Sequence, residues 1–95
     1  MVSFIVRMRF EQKDHEQIRA YLTELSTASR QEPGCVSYIA HFMDGDSSTA
    51  LIYEQYKDDA AAEFHRGTPH FKKYAIGGLY QRMLDRQVEN LVAVI

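Results

Sequence analysis

The stretch Cys35-Val36-Ser37-Tyr38-Ile39-Ala40-His41-Phe42-Met43-Asp44-Gly45-Asp46-Ser47-Ser48-Thr49-Ala50-Leu51-Ile52-Tyr53-Glu54-Gln55-Tyr56 decides the fold. Cys35 to Met43 is rich in Val, Tyr, Ile and Phe, and Thr49 to Tyr56 is a second run of the same kind. Asp44-Gly45-Asp46-Ser47-Ser48 between them is a cluster of turn residues. Two such runs joined by a short Asp/Gly/Ser loop predict an antiparallel hairpin.

Outward toward the N-terminus, Glu32-Pro33-Gly34 closes the segment before the hairpin, because proline blocks a helix and glycine allows a sharp turn. Before that break, Ile18, Tyr21, Leu22, Leu25 and Ala28 form one apolar helical stripe. Asp14 is placed to cap its first turn, with Gln17 three residues on as a capping box requires. Ahead of the helix, Val2, Phe4, Val6, Met8 and Phe10 alternate with Ser3, Arg7 and Arg9, the period of a strand with one buried face.

Outward toward the C-terminus, Asp58 or Asp59 can cap a short helix running through Arg66, which Gly67 interrupts. Thr68-Pro69 then supplies a cap with proline at the first helical position, where its missing N–H costs nothing. Phe71, Tyr74, Ala75, Gly78 and Leu79 continue an apolar stripe that the Gly77-Gly78 pair weakens, and Arg86 to Ile95 reads as a last strand. The order β-α-β-β-α-α-β over residues 1–95 predicts a single α+β domain. Its architecture is a ferredoxin-like sandwich, a four-stranded antiparallel sheet with helices on one face.

A sheet with one wet face should alternate cleanly, yet these strands are apolar at both parities. Phe4 and Val6 stand against Ile5, Ile52 against Leu51 and Tyr53, and Val92 and Val94 against Leu91, Ala93 and Ile95. A second copy of the chain packed on the bare face accounts for this pattern, so a homodimer through the sheet is expected. Composition excludes other partners. Eleven Lys+Arg against 13 Asp+Glu leave a net charge of -2, without the basic excess of a nucleic-acid binder. No apolar run approaches the roughly 20 residues of a membrane span. The N-terminus shows no charged leader or hydrophobic stretch, and a single cysteine fits a reducing compartment. A small cytoplasmic domain is expected.

Metal and nucleotide motifs are absent from the sequence. Ile76-Gly77-Gly78-Leu79 lacks the further glycines and lysine of a phosphate loop, and no two of His15, His41, His65 and His70 stand four residues apart. Cys35 reads as a small residue opening a buried strand. His41, in mid-strand, faces either a pocket or a dimer partner. Tyr53 to Asp59 and Phe64 to Phe71 are denser in functional side chains than a plain core needs. His65 is the candidate for proton transfer near neutral pH, with tyrosines placed to orient a substrate oxygen.

Three blocks in order, Arg30-Gln31-Glu32-Pro33-Gly34-Cys35-Val36-Ser37-Tyr38, Tyr53-Glu54-Gln55-Tyr56-Lys57-Asp58 and Phe64-His65-Arg66-Gly67-Thr68-Pro69-His70-Phe71, resemble the antibiotic biosynthesis monooxygenase (ABM) family. The resemblance implies a dimeric α+β barrel of two ferredoxin-like subunits. It implies a quinol monooxygenase-like activity on a small quinol-like or polycyclic aromatic substrate, using molecular oxygen and no flavin, haem or metal. In that reading His65 is the base, and Tyr53, Tyr56 or Tyr38 orients the substrate. Tyr38, His41, Lys57, His70 and Phe71 form the substrate-binding set. The haem-degrading branch relies on an early asparagine and a helical tryptophan, whereas this chain has Arg7 near the former position and no tryptophan. The second and third blocks are also similar to autoinducer-2 phosphate isomerases, which would pair His65 with Lys57 to isomerise a small phosphorylated ketone. A dimeric stress protein that binds a ligand without turnover is the remaining alternative.

Overall fold

A computed structural model describes residues 1–95. Strands β1 (Val2–Arg9), β2 (Cys35–Met43), β3 (Asp46–Tyr56) and β4 (Asp85–Leu91) pair antiparallel in the order β2-β3-β1-β4. Helix α1 (His15–Ser29) links β1 to β2. Helix α2 (Asp59–Arg66) and a π-helical segment (Phe71–Leu79), which ends in one α-helical turn, link β3 to β4. This is the ferredoxin-like α+β topology.

Helices pack on one face only. Val6, Met8 and Phe10 of the N-terminal strand region, Tyr38 of β2, and Ala50 and Ile52 of β3 meet Ile18, Leu22 and Leu25 of α1 and Ala75 and Leu79 of the π-helical segment. The alternating residues Ile5, Ile39, Leu51 and Tyr53 lie on the other face, with Tyr53 opposite both Ile5 and Ile39. No helix of this chain covers them. The apolar parity split read in β1 and β3 is therefore two real faces, whereas the split read over residues 91–95 is not, because β4 ends at Leu91.

Caps and boundaries differ from the sequence reading in four places. Asp58 caps α2 as expected, its carboxylate accepting from the Ala61 N–H at 2.8 Å. Thr68 caps the next helix by accepting from the Phe71 N–H at 3.2 Å. Asp14, however, makes no cap bond to α1; a short 3₁₀ turn (Gln12–Asp14) leads into the helix, and the carboxylate accepts from Arg82 at 3.0 Å. β3 begins at Asp46 rather than Thr49, because Gly45 alone takes a positive φ of 80° and so tightens the turn. β4 runs from Asp85 and stops at Leu91, which pairs with Ser3 of β1, so it is shorter than the strand read over residues 86–95. Val92 and Val94 beyond it are almost fully exposed.

The fourth difference concerns the second stripe. Residues 71–79 wind as a π-helix, not an α-helix, where Gly78 lies so close to α1 that an added Cβ would stand 3.1 Å from the Tyr21 ring. Glycine is the residue that permits this approach.

No helix is long and apolar enough to cross a membrane.

Candidate active site

His65 sits in the last turn of α2 and is 3% exposed. The Asp58 cap fixes where α2 starts, and Gly34 lets its first turn approach the β2 entry, since a Cβ there would collide with the Ala61 side chain. The docked helix drives the imidazole under the sheet. Tyr38 and Tyr56 flank it at ring-centroid distances of 5.6 and 5.4 Å, and Phe71 meets it edge-on at 5.2 Å.

The polar partners of His65 come from elements far apart in the chain. Its Nδ1 lies 2.7 Å from Oε2 of Glu32, in the turn after α1. His70 Nε2 approaches the same oxygen at 2.6 Å. An ionised carboxylate only accepts, so both ring nitrogens carry the hydrogen, and the Nε2 lone pair of His65 is left free. That nitrogen stands 3.7 Å from Glu54 Oε1, too long for a hydrogen bond. Glu54 in turn accepts the Tyr56 hydroxyl hydrogen at 2.6 Å.

Burial sets the titration of these groups. It pushes Glu54 up to about 7, against the lowering effects of the Tyr56 hydrogen bond and the Arg86 charge. Burial also lowers His65 below the usual imidazole value, with Glu32 opposing the shift. Near neutral pH the site therefore holds an unprotonated imidazole beside a carboxyl that can carry a proton. The Tyr56 and Tyr38 hydroxyls are pushed well up, first by burial and then by the Glu54 charge, and stay protonated. Burial likewise raises the Cys35 thiol, which argues against a reactive thiolate.

A cavity of about 80 Å³ opens beside His65 and Glu54. Its walls are mainly apolar, with Phe4, Ile52, Phe71 and Leu79 among them. Arg66 and Arg86 supply charge at the lining, and the Arg86 guanidinium lies 5.3 Å over the Tyr80 ring. Glu32, His65 and His70 could hold a metal ion, their ligand atoms lying within 4.8 Å of one another. Both imidazoles already donate to one carboxylate oxygen, so an ion would have to displace both hydrogen bonds.

Of the residues singled out from the sequence, His65, Tyr38, Tyr56, His70 and Phe71 are brought together. Tyr53 and His41 are not. Tyr53 lies on the opposite face of β3 from Tyr56, three residues along a strand whose period is two, and His41 shares that face through its pairing with Leu51. Lys57 is exposed, in a shallow depression with Pro33 and Phe64, and does not line the cavity. Glu32, Glu54, Arg86 and Tyr80 join the site without having been singled out. The parity of β3 could have found Glu54, which shares the buried face with Ala50 and Ile52.

Comparison with known proteins agrees with this architecture. The family model "Antibiotic biosynthesis monooxygenase" matches residues 1–75. Two bacterial relatives carry the name "Putative monooxygenase". Rv0793 of Mycobacterium tuberculosis is 32% identical over 73 residues, 77% of this chain and 71% of that one. YcnE of Bacillus subtilis is 27% identical over 82% of each. The solved structure of Rv0793 superposes with a TM-score of 0.88 at 25% identity, covering 99% of this chain and 95% of the other. A crystal structure titled as an antibiotic biosynthesis monooxygenase superposes over 100% of both chains with a TM-score of 0.92, which at 24% identity speaks to the fold. The chain belongs to the antibiotic biosynthesis monooxygenase family.

Proposed function

We propose that this protein is a cofactor-independent monooxygenase that oxidises a small, single-ring quinol-type substrate with molecular oxygen. The observation that carries the reading is the buried His65–Glu32 pair, whose free Nε2 belongs to a ring lining an apolar cavity. His65 Nε2 takes the substrate hydroxyl proton, and Glu32 holds the resulting imidazolium through Nδ1. The guanidinium of Arg86 supplies positive charge for the substrate anion. The electron-rich anion passes one electron to oxygen, and the pair recombines as a peroxide at a ring C–H carbon. A proton delivered to the distal oxygen, for which Glu54 is suited, releases water as that carbon loses its hydrogen. One oxygen atom remains as a carbonyl, so substrate plus O₂ gives oxidised product plus H₂O.

Size favours one ring over several. The cavity's 80 Å³ is below the ~150 Å³ that accommodates benzene in an engineered protein cavity. Even a single ring requires the Phe71–Leu79 segment, which forms part of the wall, to give way. The bare apolar face of the sheet supports a homodimer with the face of a second copy against it.

Oxygen uptake with a panel of single-ring quinols, under air with a nitrogen control, tests the reading on wild type and His65→Gln. Enzyme-dependent uptake that falls by about a hundredfold or more in the variant supports it. Turnover of a phosphorylated ketone under nitrogen would replace it with the isomerase. Saturable binding without any turnover would leave a ligand-binding module.

A further inference from the structure

Neither His70 nor Glu32 lines the cavity beside His65. The group that His70 touches is the Glu32 carboxylate. Its Nε2 donates to Oε2 at 2.6 Å, and the same oxygen accepts from His65 Nδ1 at 2.7 Å. The two imidazoles arrive from different elements, His65 from the last turn of α2 and His70 from the residue before the π-helical segment, with ring centroids 6.1 Å apart.

These two bonds are the only polar anchors of the carboxylate, because its second oxygen, Oε1, is buried and has no partner. The backbone of Glu32 is tied on both sides. Its N–H donates to the Ser29 carbonyl and its carbonyl accepts from the Cys35 N–H, each at 3.1 Å. The remaining freedom lies in the side chain, whose terminal torsion is broad. One donor leaves a carboxylate free to turn about that bond, and two converging donors hold it. His70 is itself held in place. The Thr68 hydroxyl donates to the His65 carbonyl at 2.8 Å and accepts from the Phe71 N–H at 3.2 Å, so it braces the chain that joins the two imidazoles.

We propose that His70 is a positioning residue for the His65 base. By fixing Glu32 from a second side, it keeps the hydrogen of His65 on Nδ1 and leaves Nε2 free toward the cavity. The tautomer of an imidazole is set by the hydrogen bond that one of its nitrogens makes. Once Glu32 turns away, Nδ1 loses its acceptor, and a hydrogen on Nε2 would face Glu54 Oε1, 3.7 Å away. His70 acts through Glu32 and does not touch the substrate. The consequence for turnover rests on the monooxygenase reading, whereas the tautomer does not.

The test compares His70→Gln with His70→Asn in the full chain. Both replacements are neutral amides that donate through nitrogen. The glutamine nitrogen extends about as far from the backbone as Nε2 of histidine and can restore the bond to Glu32. The asparagine nitrogen stops near the position of Nδ1 and cannot. ¹⁵N NMR of the His65 ring near neutral pH, without substrate, should show the Nδ1–H tautomer in wild type and His70→Gln, and a mixture of tautomers in His70→Asn. With a single-ring quinol under air, kcat of His70→Asn should fall about tenfold or more while KM changes by less than about twofold. His70→Gln should keep kcat within about threefold of wild type. Thermal unfolding of both variants shows whether each is folded in the assay. Should His70→Asn be unfolded there, His70→Gln decides alone, since it must keep both tautomer and kcat. An unchanged His65 tautomer in folded His70→Asn, a raised KM with kcat kept, or a glutamine variant as impaired as the asparagine one would overturn the proposal. If no quinol is oxidised, the NMR comparison decides it, and only the monooxygenase reading falls.

Discussion

The imidazole of His65 and the carboxylate of Glu32, 33 residues apart in the chain, meet at 2.7 Å with each side chain only 4% exposed. Neither group could be buried at low cost alone, since an unpaired interior charge or donor costs several kcal/mol. Each is the condition for the other's burial. The second imidazole, His70, shares the same oxygen and connects the pair to the partly exposed rim.

Replacing Glu32 by Gln should therefore damage both stability and activity. The amide oxygen can still accept from both imidazoles, but its NH₂ takes the place of Oε1, which is buried without a partner, and the charge that raises His65 is lost, so the His65 pKa should fall further. We expect a loss of about 3 kcal/mol in a urea titration. The pH midpoint of the His65 ring, followed by NMR, should move down. An unshifted midpoint would count against Glu32 as the group that supports the base.

Glu54→Gln should stabilise the fold in a pH-dependent way. The folded carboxyl titrates near 7 against an ordinary 4.5, so the unfolded chain releases its proton first as pH rises. Stability is consequently lost between about pH 4.5 and 7 and stays low above that window, by about 3 kcal/mol. The amide does not ionise and so removes this loss, while its oxygen still accepts from Tyr56. Urea midpoints should nearly coincide for the two proteins at pH 4.5 and separate at pH 8, with the variant higher.

His65 works in the opposite direction. Its pKa is lowered on folding, so stability is present above the ordinary value of 6.5 and falls as pH drops below it, where the unfolded ring takes up a proton first. His65→Gln should flatten the acid side of the stability curve measured by thermal unfolding between pH 4 and 7. A curve parallel to wild type would contradict a neutral buried imidazole.

Gly34→Ala tests how α2 is positioned. The added Cβ would collide with Ala61 in the first turn of α2, and Gly34 O also accepts the Lys57 N–H at 2.9 Å just before it. A cost of about 1–3 kcal/mol follows from overpacking. Because α2 carries His65, the variant should also lower activity more than its residual folded fraction explains, as read by specific activity against circular dichroism.

The bare sheet face makes a separate prediction. Sedimentation of the wild type should give about twice the single-chain mass of 11.0 kDa. Tyr53→Arg, at the centre of that face between Ile5 and Ile39, should shift it toward the monomer.

The order of elements was legible without any structure, because periods of two and 3.6, Pro33, Pro69 and the Asp58 and Thr68 caps are local signals. Membership of the monooxygenase family was legible too, from three short blocks. What those signals do not contain is which distant polar groups share an interior. Glu32 reads as the end of a helix and Glu54 as one charge in a mixed run, and only the packing of α2 and the sheet brings both to His65. The same packing sends Tyr53 and His41 to the far side of the sheet from Tyr56, a consequence of strand parity that holds once the buried face of β3 is known. Local sequence determined the elements and the presence of a candidate histidine base. Tertiary structure decided its partners, because pairing a buried charge is a long-range constraint that no window of the chain can express.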